Sequence, residues 1–256
     1  VRLRIDAYPF SLEALTLDVA GLSHTLGHGG ATFGGGWQSK IGRANTCHFG
    51  INVDAVEQGP GNPRLIVQRA LGRTAAGLRR IGHATFETPD LAKAIEHYTQ
   101  VIGLSLAGRE DKRAFLATKI GQLAIELQQG SQARCSKLSF EVAANSDFAH
   151  LKRELQKHGV AAEERNDSIP GLPKVLSFKD PKGTVIELFR EWSYVGNHAQ
   201  VIGVGALKLG HVAFVVDDPK SMVEFYGKVL GFRISDWIGD FFVFMRCNAD
   251  HHSVNF

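Results

Sequence analysis

Three histidines near the C-terminal end, His211, His251 and His252, are the residues best placed for chemistry in this chain. His211 lies in "LGHVAFVV" and the other two in "RCNADHHSVNF", and both stretches have the composition of strands. Neutral imidazole nitrogens are ligands for first-row divalent metals, so two of them on neighbouring strands would share one ion. Side chains alternate between the two faces of a strand. His251 and His252 should therefore point in opposite directions, and only one can join His211. His251 shares its face with Ser253 and Asn255, whereas His252 shares its face with Val254 and Phe256. Periodicity thus mildly favours His251. A histidine without metal is the plain alternative for each of the three.

Other chemistry-bearing residues carry less. His24, His28 and His48 are irregularly spaced in a Gly-rich stretch and do not match zinc-ligand spacing. Cys47, Cys135 and Cys247 are far apart and odd in number, which points to free thiols in a reducing cytoplasm. None has the setting of a thiol nucleophile. The net charge of +3 is too small to suggest nucleic acid, and no apolar run is long enough to span a membrane. The 256 residues, 44% apolar and 21% charged, suffice for a sizeable core. The chain begins with Val1 and its first Met is Met222, which fits an alternative start or a fragment.

The elements that must position these residues repeat. "RRIGHATFE" reads as a strand, and "TPDLAKAIEHYTQVIGL" as a helix capped by Asp90 and ended by Gly103. Strands at 104–107, 114–118 and 122–128 follow. The order βαβββ then recurs through "KLSFEVA", "SDFAHLKRELQKHG", "AAEER", "KVLSFKD", an Asp180-Pro181-Lys182-Gly183 turn and "TVIELFR". A third copy begins after a polar connector. Residues 83–104 lie over 211–232 without a gap, and seven of the 22 positions are identical, His83/His211, Asp90/Asp218 and Tyr98/Tyr226 among them. The fold class is therefore α+β: tandem βαβββ units form open, curved mixed sheets, with helices 91–102 and 146–157 outside and the concave face open. Residues 1–79 read as a Gly-rich segment of poor order or an accessory arm. Residues 80–194 make a first module, and 206–256 the first half of a second.

The strand histidine, the "FY…VLGF" helix and the "HH" strand together resemble the vicinal oxygen chelate superfamily, and most closely its two-module extradiol ring-cleavage dioxygenases. The resemblance covers about 80–256. It implies a mononuclear Fe(II), with Mn(II) or Zn(II) as alternatives, held by His211, His252 and a Glu. It thus selects His252 where periodicity favours His251, and it makes Phe244, Val254 and Phe256 the lining of an aromatic pocket. The substrates implied are a small catecholic aromatic diol and O2. In the first module the Glu position is Glu187, 104 residues after His83. The same spacing from His211 falls near ~315, beyond Phe256. The chain thus resembles a truncated dioxygenase with two of three ligands, which should bind Fe(II) weakly, cleave little catechol and associate with itself as a homo-oligomer through unpaired strand edges. In the first module His83 and Glu187 stand on outer strands, with Leu123 or Ala124 at the middle position and Glu126 displaced by about 7 Å. That module reads as a scaffold without a site. A glyoxalase-like metalloenzyme using Zn(II) or Ni(II), and a metal-free binding module like the bleomycin-resistance proteins, are the other readings.

Overall fold

The computed structural model describes residues 77–192, 194–195 and 205–256, together with the backbone of three earlier strands. Those strands are β1 (Arg2–Ile5), β2 (Leu15–Asp18) and β3 (Cys47–Asn52). His48 belongs to β3, while His24, His28 and most of the expected arm lie outside the described residues.

Three βαβββ units follow. The first is β4 (Leu78–Thr88), α1 (Leu91–Glu96), β5 (Ser105–Arg109), β6 (Arg113–Ala117) and β7 (Leu123–Gln129). The second is β8 (Arg134–Val142), α2 (Phe148–Lys157), β9 (Glu163–Arg165), β10 (Val175–Lys179) and β11 (Val185–Phe189). The third is β12 (Lys208–Phe214), α3 (Pro219–Lys228), β13 (Arg233–Ile238), β14 (Phe242–Arg246) and β15 (Val254–Asn255). In every unit the first strand pairs parallel with the fourth: β4 with β7, β8 with β11, β12 with β15. The eight-stranded sheet runs β5-β6-β7-β4-β8-β11-β10-β9, and the seven-stranded sheet runs β1-β2-β3-β12-β15-β14-β13. Both are mixed and open.

Local chemistry sets the helix ends. Asp90, Asp147 and Asp218 each accept a backbone N–H of the first turn, and Pro219 enters α3 where no helical N–H is required. After Glu96 the first helix widens into a π-helical turn at His97–Val101. Thr99 Oγ1 donates to Ile95 O at 2.8 Å, and Ile102 N reaches back to His97 O. A side-chain hydroxyl thus competes for a carbonyl of the regular ladder, and the ladder slips by one residue. Gly103, at φ +80°, then turns the chain into the sheet.

The helix-side face of both sheets forms one core. It runs from Ile81, Phe86 and Tyr98 through Phe140 and Leu188 to Val212, Tyr226 and Phe256. Rings of Phe140 and Phe232 meet edge to face across the two modules. The Asp180–Gly183 turn, with Gly183 at φ +89°, contributes a second bridge: Tyr226 Oη donates to Asp180 Oδ2 at 3.1 Å.

The opposite face of the eight-stranded sheet is less open than expected. Phe115, Ala117, Leu123, Val175 and Phe189 point to that side and cannot be left in water. Ile169 and Leu172, from the loop after β9, cover them together with Trp192 and Val195. What stays open is a cavity of about 760 Å³ beside β9, reaching Lys137, Ser177, Val185 and Glu187.

Candidate metal centre

His211 projects from β12 toward His252, which directly precedes Ser253 and β15. The imidazole centroids are 4.4 Å apart, with planes inclined at 58°. Both rings are half-buried, and His251 beside them is exposed. Phe244 on β14 closes one side, its ring 5.1 Å from His252 and 5.4 Å from His251.

Two expectations need correction. His251 and His252 do not point in opposite directions: their Nδ1 atoms are 3.0 Å apart and their rings meet edge to face. Nor do Val254 and Phe256 line a pocket. Val254 is wholly buried, and Phe256 packs in the core against Phe214 and Tyr226. One cause explains both. The chain bends through residues 251–253 and becomes a strand only at Val254, so strict alternation cannot be carried back to the histidines.

The pair suits two cis positions on a divalent first-row ion, which takes nitrogen donors at ~2.0–2.1 Å. Among the described residues no cluster of three or more His, Cys, Asp or Glu could complete it. Asn255, which sequence reading placed only on a strand face, pairs in register with Ala213 and Phe244, and its Oδ1 is buried with no hydrogen-bond partner in the structure. Cys247 contributes no thiolate, because burial pushes its thiol up to about 11.

The equivalent place in the first module is filled differently. His83 is wholly buried, with Nε2 2.8 Å from Ser139 Oγ and 3.4 Å from Glu187 Oε2. Ser139 and Ser168 both donate to that same Glu187 oxygen. Glu126 accepts from Thr85 at 2.7 Å, Arg113 at 2.6 Å and Gln128 at 2.7 Å. Lys137 Nζ lies between the acids, 3.5 Å from Glu187 and 3.7 Å from Glu126. Burial holds His83 neutral, below its ordinary value. Burial works against both carboxylates, yet Lys137 and three hydrogen-bond donors hold Glu126 below the usual range, and His83, followed by Lys137 and Ser168, holds Glu187 below it.

The profile of the Glyoxalase/Bleomycin resistance protein/Dioxygenase superfamily matches residues 80–188 and 208–256, more than half of the chain. The chain belongs to this superfamily. Within it, the biphenyl-2,3-diol 1,2-dioxygenase of Paraburkholderia xenovorans (strain LB400) is 28% identical over 195 residues, covering 69% of this chain and 65% of the relative. This chain therefore spans a little under two thirds of that relative's length. The iron-dependent extradiol dioxygenase of Rhodococcus jostii (strain RHA1) is 24% identical over 210 residues, covering 70% of this chain and 67% of the relative. Among solved structures, the 2,3-dioxygenase LapB from Pseudomonas sp. KL28 superposes with a TM-score of 0.61 at 22% identity, covering 71% of this chain and 70% of that one. That likeness is one of fold.

Superfamily membership accounts for the histidine recurring with the repeat. It does not account for Lys137, Ser139 and Ser168, which no spacing connects to His83. Lys137 and Ser139 sit on β8, which flanks its strand, whereas Ser168 comes from the loop after β9 and carries no such signal.

Proposed function

We propose that this chain is part of an extradiol ring-cleavage dioxygenase, with His211 and His252 as two ligands of a mononuclear Fe(II) and a catecholic aromatic and O2 as substrates. The approach of two half-buried imidazoles to 4.4 Å beside an aromatic wall carries this reading. Bound there, Fe(II) supplies adjacent open positions at which a catechol and dioxygen meet on one centre. The protein's own contribution is orientation and exclusion of water. His251 meets Nδ1 of His252 and orients that ring. Phe244 offers an apolar face against which an aromatic ring packs. A carboxylate from outside the described residues completes the set on this reading, as a Glu ligand would.

The test is a titration with Fe(II) under anaerobic conditions, then catechol cleavage followed by the yellow ring-opened product. The 256-residue chain and a version extended past Phe256 are compared. His211→Ala and His252→Ala should each abolish tight binding and turnover. Undiminished turnover in either variant would refute the assignment.

A further inference from the structure

We propose that Asn248, Asp250 and Lys208 are positioning residues for the histidine pair: they pin the loop before His251 and His252 to β12 on one side and to the first module on the other, and so hold His252 against His211. This rests on the metal-site reading above and adds to it, because none of the three is a ligand and one of their anchors lies in the other module.

The loop needs holding because it is not strand. β14 ends at Arg246, and pairing with β12 and β14 resumes only at Val254. Ser253 N donates to Met245 O at 2.8 Å, and Cys247 Sγ lies 3.4 Å from Ser253 Oγ, so the base of the loop is closed. Above that base the chain bends through residues 247–251. Ladder pairing therefore does not set where the two imidazoles go, and side-chain contacts must.

Two side-chain anchors do so. Asp250 Oδ2 accepts Lys208 Nζ at 2.9 Å, and Lys208 stands on β12 three residues before His211. Asn248 Nδ2 donates to Arg79 O at 3.0 Å, and Arg79 belongs to β4 of the first module. The pairing of β4 with β8 shifts register between Leu78 and Arg80. Arg79 thus sits in a bulge with no residue opposite it, and its carbonyl is available to a partner outside the sheet. The register of β12 against β3 shifts likewise between Leu209 and His211, a bulge of the kind that re-aims a side chain.

The anchors are also coupled to each other. Asn248 Oδ1 accepts Asp250 N at 2.8 Å, and Asn248 Nδ2 reaches Asp250 Oδ2 at 3.3 Å. One amide side chain therefore joins the loop's own backbone, the carboxylate and the first module. The next residue is His251, whose Nδ1 lies 3.0 Å from that of His252. The side chains of Lys208 and Asp250 are 26% and 33% exposed, and an ion pair so open to water adds little to stability. Its role is placement.

The experiment reads the metal-free full chain by NMR, as the cross-peak between ring protons of His211 and His252, and then titrates it with Fe(II) under anaerobic conditions. Asn248→Ala and Asp250→Ala should each lose that cross-peak and bind Fe(II) about ten-fold more weakly than the parent. Asp250→Asn, which keeps an oxygen for Lys208, should retain both. A merely structural clamp would lower the urea midpoint and leave ring contact and affinity as they are. That result in the folded Ala variants overturns the proposal, as does a parent without the cross-peak. Should Asp250→Ala not fold, Lys208→Met removes the same anchor from its other end and must lose the cross-peak; its retention there counts equally against the proposal. A parent that shows the cross-peak but takes up no Fe(II) refutes the metal reading instead, and the cross-peak in the variants still decides the positioning role.

Discussion

His83 has no solvent exposure, and its Nε2 is tied to Ser139 and Glu187; His211, 128 residues later at the equivalent place in the third unit, is half-buried with a second imidazole 4.4 Å from its own. The strands bearing them pair alike, parallel to the last strand of their own unit and antiparallel to a strand on the other side. The scaffold is thus common, and the difference lies in what faces the histidine. In the first module Lys137 and Arg113 together balance two carboxylates, and Ser168 from the loop after β9 donates to one of them. In the second, the described residues bring a histidine pair and a phenylalanine. A duplicated strand histidine therefore specifies a position, and its neighbours decide whether the position is a polar core or, on the function proposed above, a ligand site.

The sharpest way to break this comparison is to unbalance the first site. Lys137→Ala in metal-free buffer should cost about 3–5 kcal/mol, the range for removing one partner of a buried ion pair. Urea denaturation measures it, and a loss below about 1 kcal/mol would make the acids' pairing incidental. Acid should act on the same site. Glu187 sits at about 2 in the folded chain against 4.5 unfolded, and His83 sits below 6.5. The unfolded chain therefore takes up more protons as pH falls, so stability drops below pH 6.5 and again between 4.5 and about 2. The Glu187 part amounts to about 3 kcal/mol at ~1.4 kcal/mol per unit. His83→Gln should flatten the upper part of that curve and, because His83 does most to lower Glu187, shrink the lower part as well.

At the second site, His252→Ala should weaken Fe(II) binding by more than the ~10–100-fold typical of losing an outer partner, while His251→Phe should fall at the low end of that range, about ten-fold. His83→Gln should leave Fe(II) affinity unchanged, and equal losses from His83 and His211 variants would erase the distinction between the modules. The smallest effect concerns the bridge between them. Tyr226→Phe should cost about 1 kcal/mol, the net worth of one buried hydrogen bond, and be non-additive with Asp180→Asn.

Much of this was legible in the sequence. The gap-free match of His83–Leu104 to His211–Phe232, with aspartate caps and Gly103, reported the unit and its orientation, because capping and turn residues act locally. His211 came from the same repeat, and His252 from family resemblance. The conformation at 251–253 was not legible, since alternation presumes a strand and the chain bends there. Nor was the loop carrying Ser168 and Ile169: nothing in "DSIPGLP" says which face it covers. Glu126 is displaced as its spacing says, opposite Thr85, but spacing along one strand cannot show that Lys137 reaches across to it.

The shared core has a bearing on how the molecule comes apart. Phe140 of one module packs on Phe232 of the other, and Asp180, itself buried, holds the hydroxyl of a fully buried Tyr226. Neither half can melt without opening the interior of its neighbour. Residues 80–256 should therefore unfold in a single cooperative transition, with calorimetric and van't Hoff enthalpies equal. Slowly exchanging amides should be distributed over β8 and β12 together instead of marking two units of separate stability.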